Sequence, residues 1–257
     1  MAKMRNLLAF DLGASNGRAI LGQFDGEKIT MTELHRFENN YVEMNGVFYW
    51  DTPYLYNQLK KGLMAFKQGG YGDLDSFGID TWGVDYGLLD AEGKVLGLPR
   101  AYRYAVDADM ERVWKVVDFP TQFSRTGIAA LNFNTVYQLY RRKREGDVAL
   151  DMADTLLLTP DLLGYFLTGE KKCEYTIAST SQMFDSKTHT WSEDMLKKLG
   201  IPPNLFADMV YPGEKGEVLP SLRLKVLYDG FEDLAALRLL ESKIGREKVL
   251  EFIDKDL

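Results

Sequence analysis

Cysteine is nearly absent: Cys173 is the only one in 257 residues. No disulfide can form within the chain, and a reducing compartment, the cytoplasm, is the expectation. Histidine is as scarce, with only His35 and His189, so no cluster has metal-ligand spacing. Nothing approaches the ~20 apolar residues of a membrane span. The first apolar run, from Leu7, meets Asp11 at once, which is too short for a signal-peptide core. Basic excess is missing too. The formal net charge is −7, which speaks against a general affinity for nucleic acid or for an anionic membrane. Neither Gly-x-x-x-x-Gly-Lys-Ser/Thr nor a helix-opening Gly-x-Gly-x-x-Gly occurs, so the P-loop and the Rossmann fingerprint are excluded. No internal repeat or low-complexity tract is visible. The rest, 46% hydrophobic and 27% charged, suits a globular chain of one large domain or two modest ones.

What is there centres on residues 7–21. An apolar run reaches Asp11, turns through Gly13, Ala14, Ser15, Asn16 and Gly17, passes Arg18 and leaves as a second apolar run. This is a hairpin pattern, with Asn16-Gly17 as the expected turn pair. The small residues leave backbone N–H groups open, and open amides form a concave site that suits a phosphate. Asp11 at the strand end suits a magnesium ion held through water. Two readings stand here: a phosphate loop, or a surface hairpin whose acid satisfies its own turn.

The chain that follows reads as alternating strands and helices. Residues 28–37 alternate as a third strand, and Phe48-Tyr49-Trp50 as a short aromatic one. Asp51-Thr52-Pro53 starts a helix with Leu55, Leu59, Leu63 and Phe66 on its core side, ending at Gly69-Gly70. Residues 76–83 read as a buried strand entering a site, continued by strand over 84–89. Asp80 and Asp85 bracket Trp82-Gly83. Carboxylates accept from sugar hydroxyls, a ring packs a carbon face and glycine admits a ligand closely; a turn with solvated acids is the alternative. Residues 98–103, ending in Arg103, lead toward the same place. Asn134 either touches a sugar or caps the helix after it. That helix ends in Arg141-Arg142-Lys143-Arg144, cations that complement its dipole and face water. Leu156-Leu157-Leu158 reads as a buried strand, Thr159-Pro160 as a helix start and Gly169 as its stop. Residues 174–182 are polar, either lining a cleft or forming a loop. Ser192 caps a further short helix closing at Gly200.

Residues 10–18, together with Ile79-Asp80-Thr81-Trp82-Gly83-Val84-Asp85-Tyr86, the 98–103 segment, Phe133-Asn134-Thr135-Val136-Tyr137-Gln138-Leu139, Thr159-Pro160-Asp161 and residues 174–182, resemble the FGGY sugar kinases of the actin-like ATPase superfamily, in the family's order. Within it they are most like the rhamnulokinase branch. The resemblance implies an α/β fold: a ribonuclease-H-like (actin-like ATPase) lobe with a mixed sheet flanked by helices. It implies ATP and Mg2+ as cofactors and a ketose as substrate, the γ-phosphate passing to the 1-hydroxyl of L-rhamnulose. Asp11 would belong to the magnesium shell, and Gly13, Ala14, Ser15, Asn16, Gly17 and Arg18 to the phosphate site. Asp80, Trp82, Gly83, Asp85, Arg103 and Asn134 would belong to the sugar site. Tyr104 departs from the family, which usually carries an aspartate there.

The resemblance runs to about Gly213, giving a kinase lobe over 1–213. The family's second lobe, with the catalytic aspartate, a second phosphate loop and the adenine pocket, is not matched, so no catalytic residue is assigned here. Little turnover is expected of this chain by itself. A partner chain supplying that lobe, a sugar- or partner-binding lobe without catalysis, and a stranded fragment are the other readings. Residues 214–257 instead resemble the closing segment of glycoside-hydrolase-like proteins. They read as a helical tail, with Leu234, Leu237, Leu240 and Ile244 on one stripe and Val249, Phe252 and Ile253 on the next.

Overall fold

A computed structural model describes residues 4–211. The boundary expected at Gly213 and the tail over 214–257 lie outside the described residues. Strand β1 (Arg5–Leu12) alternates as its sequence asks, with Leu8, Phe10 and Leu12 buried on one face. It turns into β2 (Asn16–Phe24), which pairs antiparallel with β3 (Ile29–Glu38) across a bulge at Ala19 and Ile20. A second hairpin joins β4 (Tyr41–Met44) to β5 (Val47–Trp50). Its turn residues, Asn45 and Gly46, both have φ in the left-handed region, at 52° and 76°, the conformation that makes Asn-Gly a hairpin turn.

Helix α1 (Thr52–Gln68) begins where the Asp51 carboxylate accepts the Tyr54 N–H at 3.0 Å, with proline in the first turn. It buries Leu55, Leu59, Leu63 and Phe66 and packs on β2 and β3. The chain then returns as β6 (Ser76–Thr81), parallel to β1 and in register from Leu7 opposite Ser76 to Leu12 opposite Thr81. The result is a mixed sheet of order β3-β2-β1-β6.

Beyond Thr81 the expected continuous strand is interrupted. Residues 82–85 bend, and β7 (Tyr86–Leu89) leaves this sheet to pair antiparallel with β8 (Thr155–Leu158). Between them lie α2 (Asp107–Trp114), α3 (Phe119–Thr126), α4 (Thr135–Arg144) and α5 (Val148–Asp151). Helix α6 (Thr159–Thr168) stops at Gly169, φ 79°, and packs on β6, β7 and β8. It is followed by β9 (Lys172–Glu174), α7 (Tyr175–Ser179), the short hairpin β10 (Phe184–Asp185) and β11 (Thr190–Trp191), α8 (Glu193–Lys198), and β12 (Asp208–Val210), parallel to β9. A second apolar core joins these elements through Val113, Val136, Leu139, Leu156, Met183 and Leu196.

Two expectations change. The basic end of α4 does not simply face water. Arg142 is buried at 8% exposure and its Nε donates to Asp147 at 2.8 Å, while Arg141 lies 4.1 Å over the Tyr104 ring. Residues 174–182 are not a plain loop: the Glu174 carboxylate accepts from the N–H groups of Thr176 and Ile177 and starts α7, and Glu174, Thr176, Ile177 and Thr180 line an open pocket.

The sheet and α1 touch most tightly at Gly62, where a Cβ would lie 2.7 Å from both the Ala19 Cβ and the Phe10 ring. Although alanine is the better helix former, Gly62→Ala should destabilise by ~1–3 kcal/mol through overpacking. Urea unfolding followed by circular dichroism measures this; an unchanged midpoint would show that the interface has room.

Candidate functional site

The hairpin loop is built differently from the expected turn. The Gly13 N–H donates to the Asn16 carbonyl at 2.8 Å, so Ala14 and Ser15 are the turn residues and Asn16-Gly17 already belongs to β2. None of residues 13–17 has a left-handed φ, so Asn16-Gly17 does not act as a type I′ pair. Gly17 is required for room instead: a Cβ there would fall 2.2 Å from the Phe37 ring. Asn39, fully buried, holds the loop by donating its N–H to the Ser15 carbonyl at 3.0 Å and its Nδ2 to the Gly13 carbonyl at 2.8 Å. The N–H groups of Ala14 and Ser15 have no acceptor among the described residues. Asp11, at the end of β1, pairs with Arg18 at 2.5 Å, both side chains about two-fifths exposed.

Asp11 is the register partner of Asp80 on β6. The loop after β1 and the bend after β6 therefore leave the sheet side by side. At the bend Val84 has φ 70°, a conformation that a β-branched residue adopts only under constraint. The constraints are visible. The Val84 carbonyl accepts from Thr135 Oγ1 at 2.7 Å and Gln138 Nε2 at 3.2 Å, and its N–H donates to Thr180 Oγ1 at 3.2 Å. Gly83 is confined by the same threonine: a Cβ would meet Thr180 at 3.0–3.1 Å. The side of Gly83 that a side chain would occupy is thus taken by protein.

Asp85 is wholly buried. Its Oδ2 accepts from Trp50 Nε1 at 2.6 Å, Trp82 Nε1 at 3.0 Å and the Tyr102 N–H at 3.1 Å, and its Oδ1 from Gln138 Nε2 at 3.2 Å. Burial pushes its carboxyl up to about 6 against the pull of these four donors. The Trp50 and Trp82 rings lie 4.0 Å apart, Tyr102 and Phe133 5.5 Å apart, and the exposed Arg103 guanidinium sits 5.5 Å over both Tyr41 and Tyr102. Asn134 occupies the cap position of α4, but its side chain does not cap. It is buried and donates to the Ala129 carbonyl at 2.8 Å and Gln182 Oε1 at 3.1 Å.

The sequence-derived sugar residues thus divide. Asp80 and Gly83 line an open pocket of about 610 Å³, faced by Asp161, Glu174 and Thr180. Trp82, Asp85 and Arg103 belong to the aromatic cluster. The Asn134 side chain makes no bond to the bend; its neighbour Thr135 does, at the Val84 carbonyl. Sequence reasoning missed Asn39, Trp50, Gln138 and Thr180. Signals were present: Gln138 and Thr180 lie in two of the family segments, Trp50 ends the aromatic strand, and Asn39-Asn40 is a polar pair directly after a strand.

A model of the FGGY family of carbohydrate kinases, N-terminal domain, matches residues 6–226. The chain belongs to the FGGY family. Rhamnulokinase from Bacteroides thetaiotaomicron is 41% identical over 213 residues, and that from Mannheimia succiniciproducens 40%. Each match covers 82% of this chain and 44% of the relative, so the chain spans less than half the length of these curated relatives. Among solved structures, the ligand-bound xylulose kinase from Lactobacillus acidophilus superposes with a TM-score of 0.76 at 13% identity, covering 86% of this chain and 45% of that one. A carbohydrate kinase from Novosphingobium aromaticivorans does so at 0.67 and 24%, covering 88% and 46%. These likenesses show the fold, the α/β lobe expected from the sequence. No described helix is long and apolar enough to cross a membrane.

In this FGGY lobe, Asp161 near the start of α6 accepts the Glu174 N–H on Oδ1 at 3.1 Å; its Oδ2 is buried, and the buried Cys173 thiol is the other side-chain donor that acts on the carboxyl. Burial pushes its carboxyl up to about 7. The folded state keeps a proton that the unfolded chain releases above about pH 4. This group's stability contribution is therefore full below about pH 4 and is lost as pH rises through 7. Asp161→Asn keeps the acceptor for Glu174 and removes the buried charge. It should raise the melting temperature at pH 8 by at least about 2 °C and flatten its fall between pH 5 and 8. A lower melting temperature at pH 8 would show that the carboxylate has a partner that it needs.

Proposed function

We propose that this chain is the nucleotide- and sugar-binding N-terminal lobe of an ATP-dependent ketose kinase of rhamnulokinase type, its reaction the phosphorylation of L-rhamnulose at the 1-hydroxyl. One observation carries the reading: β1 and β6 run parallel and in register, so the Gly13 loop and the Gly83 bend emerge together from the carboxyl ends of neighbouring strands. In α/β sheets that is where ligands bind. The substrate class is supported by the roughly 40% identity to relatives named rhamnulokinase.

The open N–H groups of Ala14 and Ser15, with Gly13, Asn16, Gly17 and Arg18 around them, suit the phosphates of ATP. Among the described residues no three acidic, histidine or cysteine side chains are grouped to hold a metal. Magnesium, which keeps most of its waters, needs only one or two carboxylates, and Asp11 fits that demand. Asp11 and Arg18, now paired with each other, carry the two signs that metal and phosphate require. When bound, magnesium would neutralise charge on the transferring phosphate. Asp80 and Gly83 on the open pocket, and Trp82 and Arg103 in the aromatic cluster, offer surface to the sugar, whereas Asp85 and Asn134 are buried.

Phosphoryl transfer depends on positioning between two lobes. The resemblance assigns the base that deprotonates the sugar hydroxyl to the family's second lobe, so binding of nucleotide and sugar is the part of the reaction proposed for the residues of this lobe. A second lobe, in the same protein or on a partner chain, would complete the cleft.

Calorimetric titration with a non-hydrolysable ATP analogue should show binding that requires magnesium and weakens at least about tenfold in Asp11→Asn, a loss of ~1.4 kcal/mol. Equal affinity in the variant would remove Asp11 from the site. With Mg-ATP and L-rhamnulose, ADP release should not exceed that of the Asp11→Asn control. Sugar-dependent release by this chain would mean that the base lies within it.

A further inference from the structure

The Asp85 carboxylate is the meeting point of four chain segments. Its donors come from Trp50 at the end of β5, Trp82 in the bend, the Tyr102 backbone and Gln138 on α4. Its own carbonyl accepts from the N–H and Oγ1 of Thr159, each at 3.0 Å, where α6 starts. Gln138 is in turn committed elsewhere: the same Nε2 donates to the carbonyls of Phe133 at 2.8 Å and Val84 at 3.2 Å. Both carboxylate oxygens of Asp85 are thereby used by protein donors, and the residue is wholly buried, which leaves it poorly placed to take a sugar hydroxyl. Trp82, by contrast, is only partly buried.

We propose that Asp85 is a positioning residue: it fixes the Trp82 indole against Trp50 and the bend at Gly83, and so sets the aromatic wall offered to the sugar, without itself touching the sugar. This rests on the sugar-kinase reading for the identity of the ligand; the hydrogen-bonded hub stands apart from it. An acid is needed at this position. Two indole N–H groups, a backbone N–H and an amide N–H all require acceptors, and a carboxylate supplies lone pairs on both oxygens. Asparagine has the same shape but presents an NH₂ group on one side. With its oxygen facing the indoles, its nitrogen meets the Gln138 Nε2, donor against donor. Flipping the Gln138 amide would lose its bonds to Phe133 and Val84. Asp85→Asn should therefore disturb the wall while leaving the packed core in place.

The chain has four tryptophans, and Trp114 and Trp191 lie away from Asp85, Trp114 donating to Tyr137 and Trp191 stacking on Phe206. In a proton–nitrogen correlation spectrum of the full chain, Asp85→Asn should move the indole signals of Trp50 and Trp82 upfield and leave those of Trp114 and Trp191 unmoved. Titration of L-rhamnulose into the wild type, Asp85→Asn, Trp82→Phe and the double variant then separates positioning from contact. If Asp85 acts through Trp82, each single variant should weaken binding about tenfold and the double variant no more than either. Additive losses, about a hundredfold in the double variant, would make Asp85 an independent sugar contact and overturn the proposal. Unmoved Trp50 and Trp82 signals, or unchanged affinity in Asp85→Asn, would overturn it as well. Moved indole signals with no ketose binding by the wild type would instead overturn the sugar reading and the functional half of the proposal with it, leaving the hub established.

Discussion

The parallel pairing of β1 with β6 is the constraint on which the rest depends. Two parallel neighbours cannot be joined by a tight turn, so the chain must travel from one end of the sheet back to the other. Here the journey is β2, β3, the β4–β5 hairpin and α1. The hairpin strands widen the sheet on the far side of β1, and α1 covers the face on which Leu8, Phe10 and Leu12 are buried. The contact is close enough for Gly62 to lack room for a methyl group. What the pairing delivers is position. Asp11 lies beside Asp80, and the segments that follow them are held at one edge of the sheet without any direct bond between the two loops being required.

Those two segments are made in opposite ways. The loop after β1 is held through its carbonyls by Asn39, and its N–H groups at Ala14 and Ser15 stay open, so its polarity is available to a negative ligand. In the bend after β6 the polar groups of Val84 and Asp85 are taken up by protein. The carbonyl and N–H of Val84, the carboxylate of Asp85 and the amide of Gln138 are all engaged with one another or with Thr135 and Thr180. A left-handed valine persists only where its surroundings over-determine it, and three hydrogen bonds to its backbone do so here. What the bend presents beside these groups is ring surface, that of Trp82.

The charged end of α4 shows why spacing along a helix does not reveal environment. Arg142 and Asp147 form a pair with side chains only 10% and 11% exposed, with Arg100 also donating to Asp147. Exposed pairs are worth about 0–1 kcal/mol; this one is held in a part of the molecule where removing either partner would strand a buried charge. Arg141 stacks on the Tyr104 ring and donates to the Tyr104 carbonyl at 2.7 Å. Tyr104 thus serves as a platform for the helix, an arrangement that only an aromatic ring makes.

Period and punctuation determined the elements. The alternation of Leu8, Phe10 and Leu12, the spacing of Leu55, Leu59, Leu63 and Phe66, Asp51 with Pro53 at one helix end and Gly169 at another are local signals, and each reports a local energy: burial of one face, a capped N–H, a left-handed glycine. The FGGY motifs likewise lie in short segments, so the family and its candidate residues could be read before any folding. Only the tertiary structure decided what those residues face. That the turn is Ala14 and Ser15 depends on Asn39, 24 positions further along; that Gly83 is hemmed in depends on Thr180; that Asp85 is buried rather than solvated depends on Trp50, Tyr102 and Gln138 converging on it. These are contacts between residues far apart in sequence. No periodicity records them, because the free energy that selects them comes from satisfying buried donors and acceptors once the chain has brought them together.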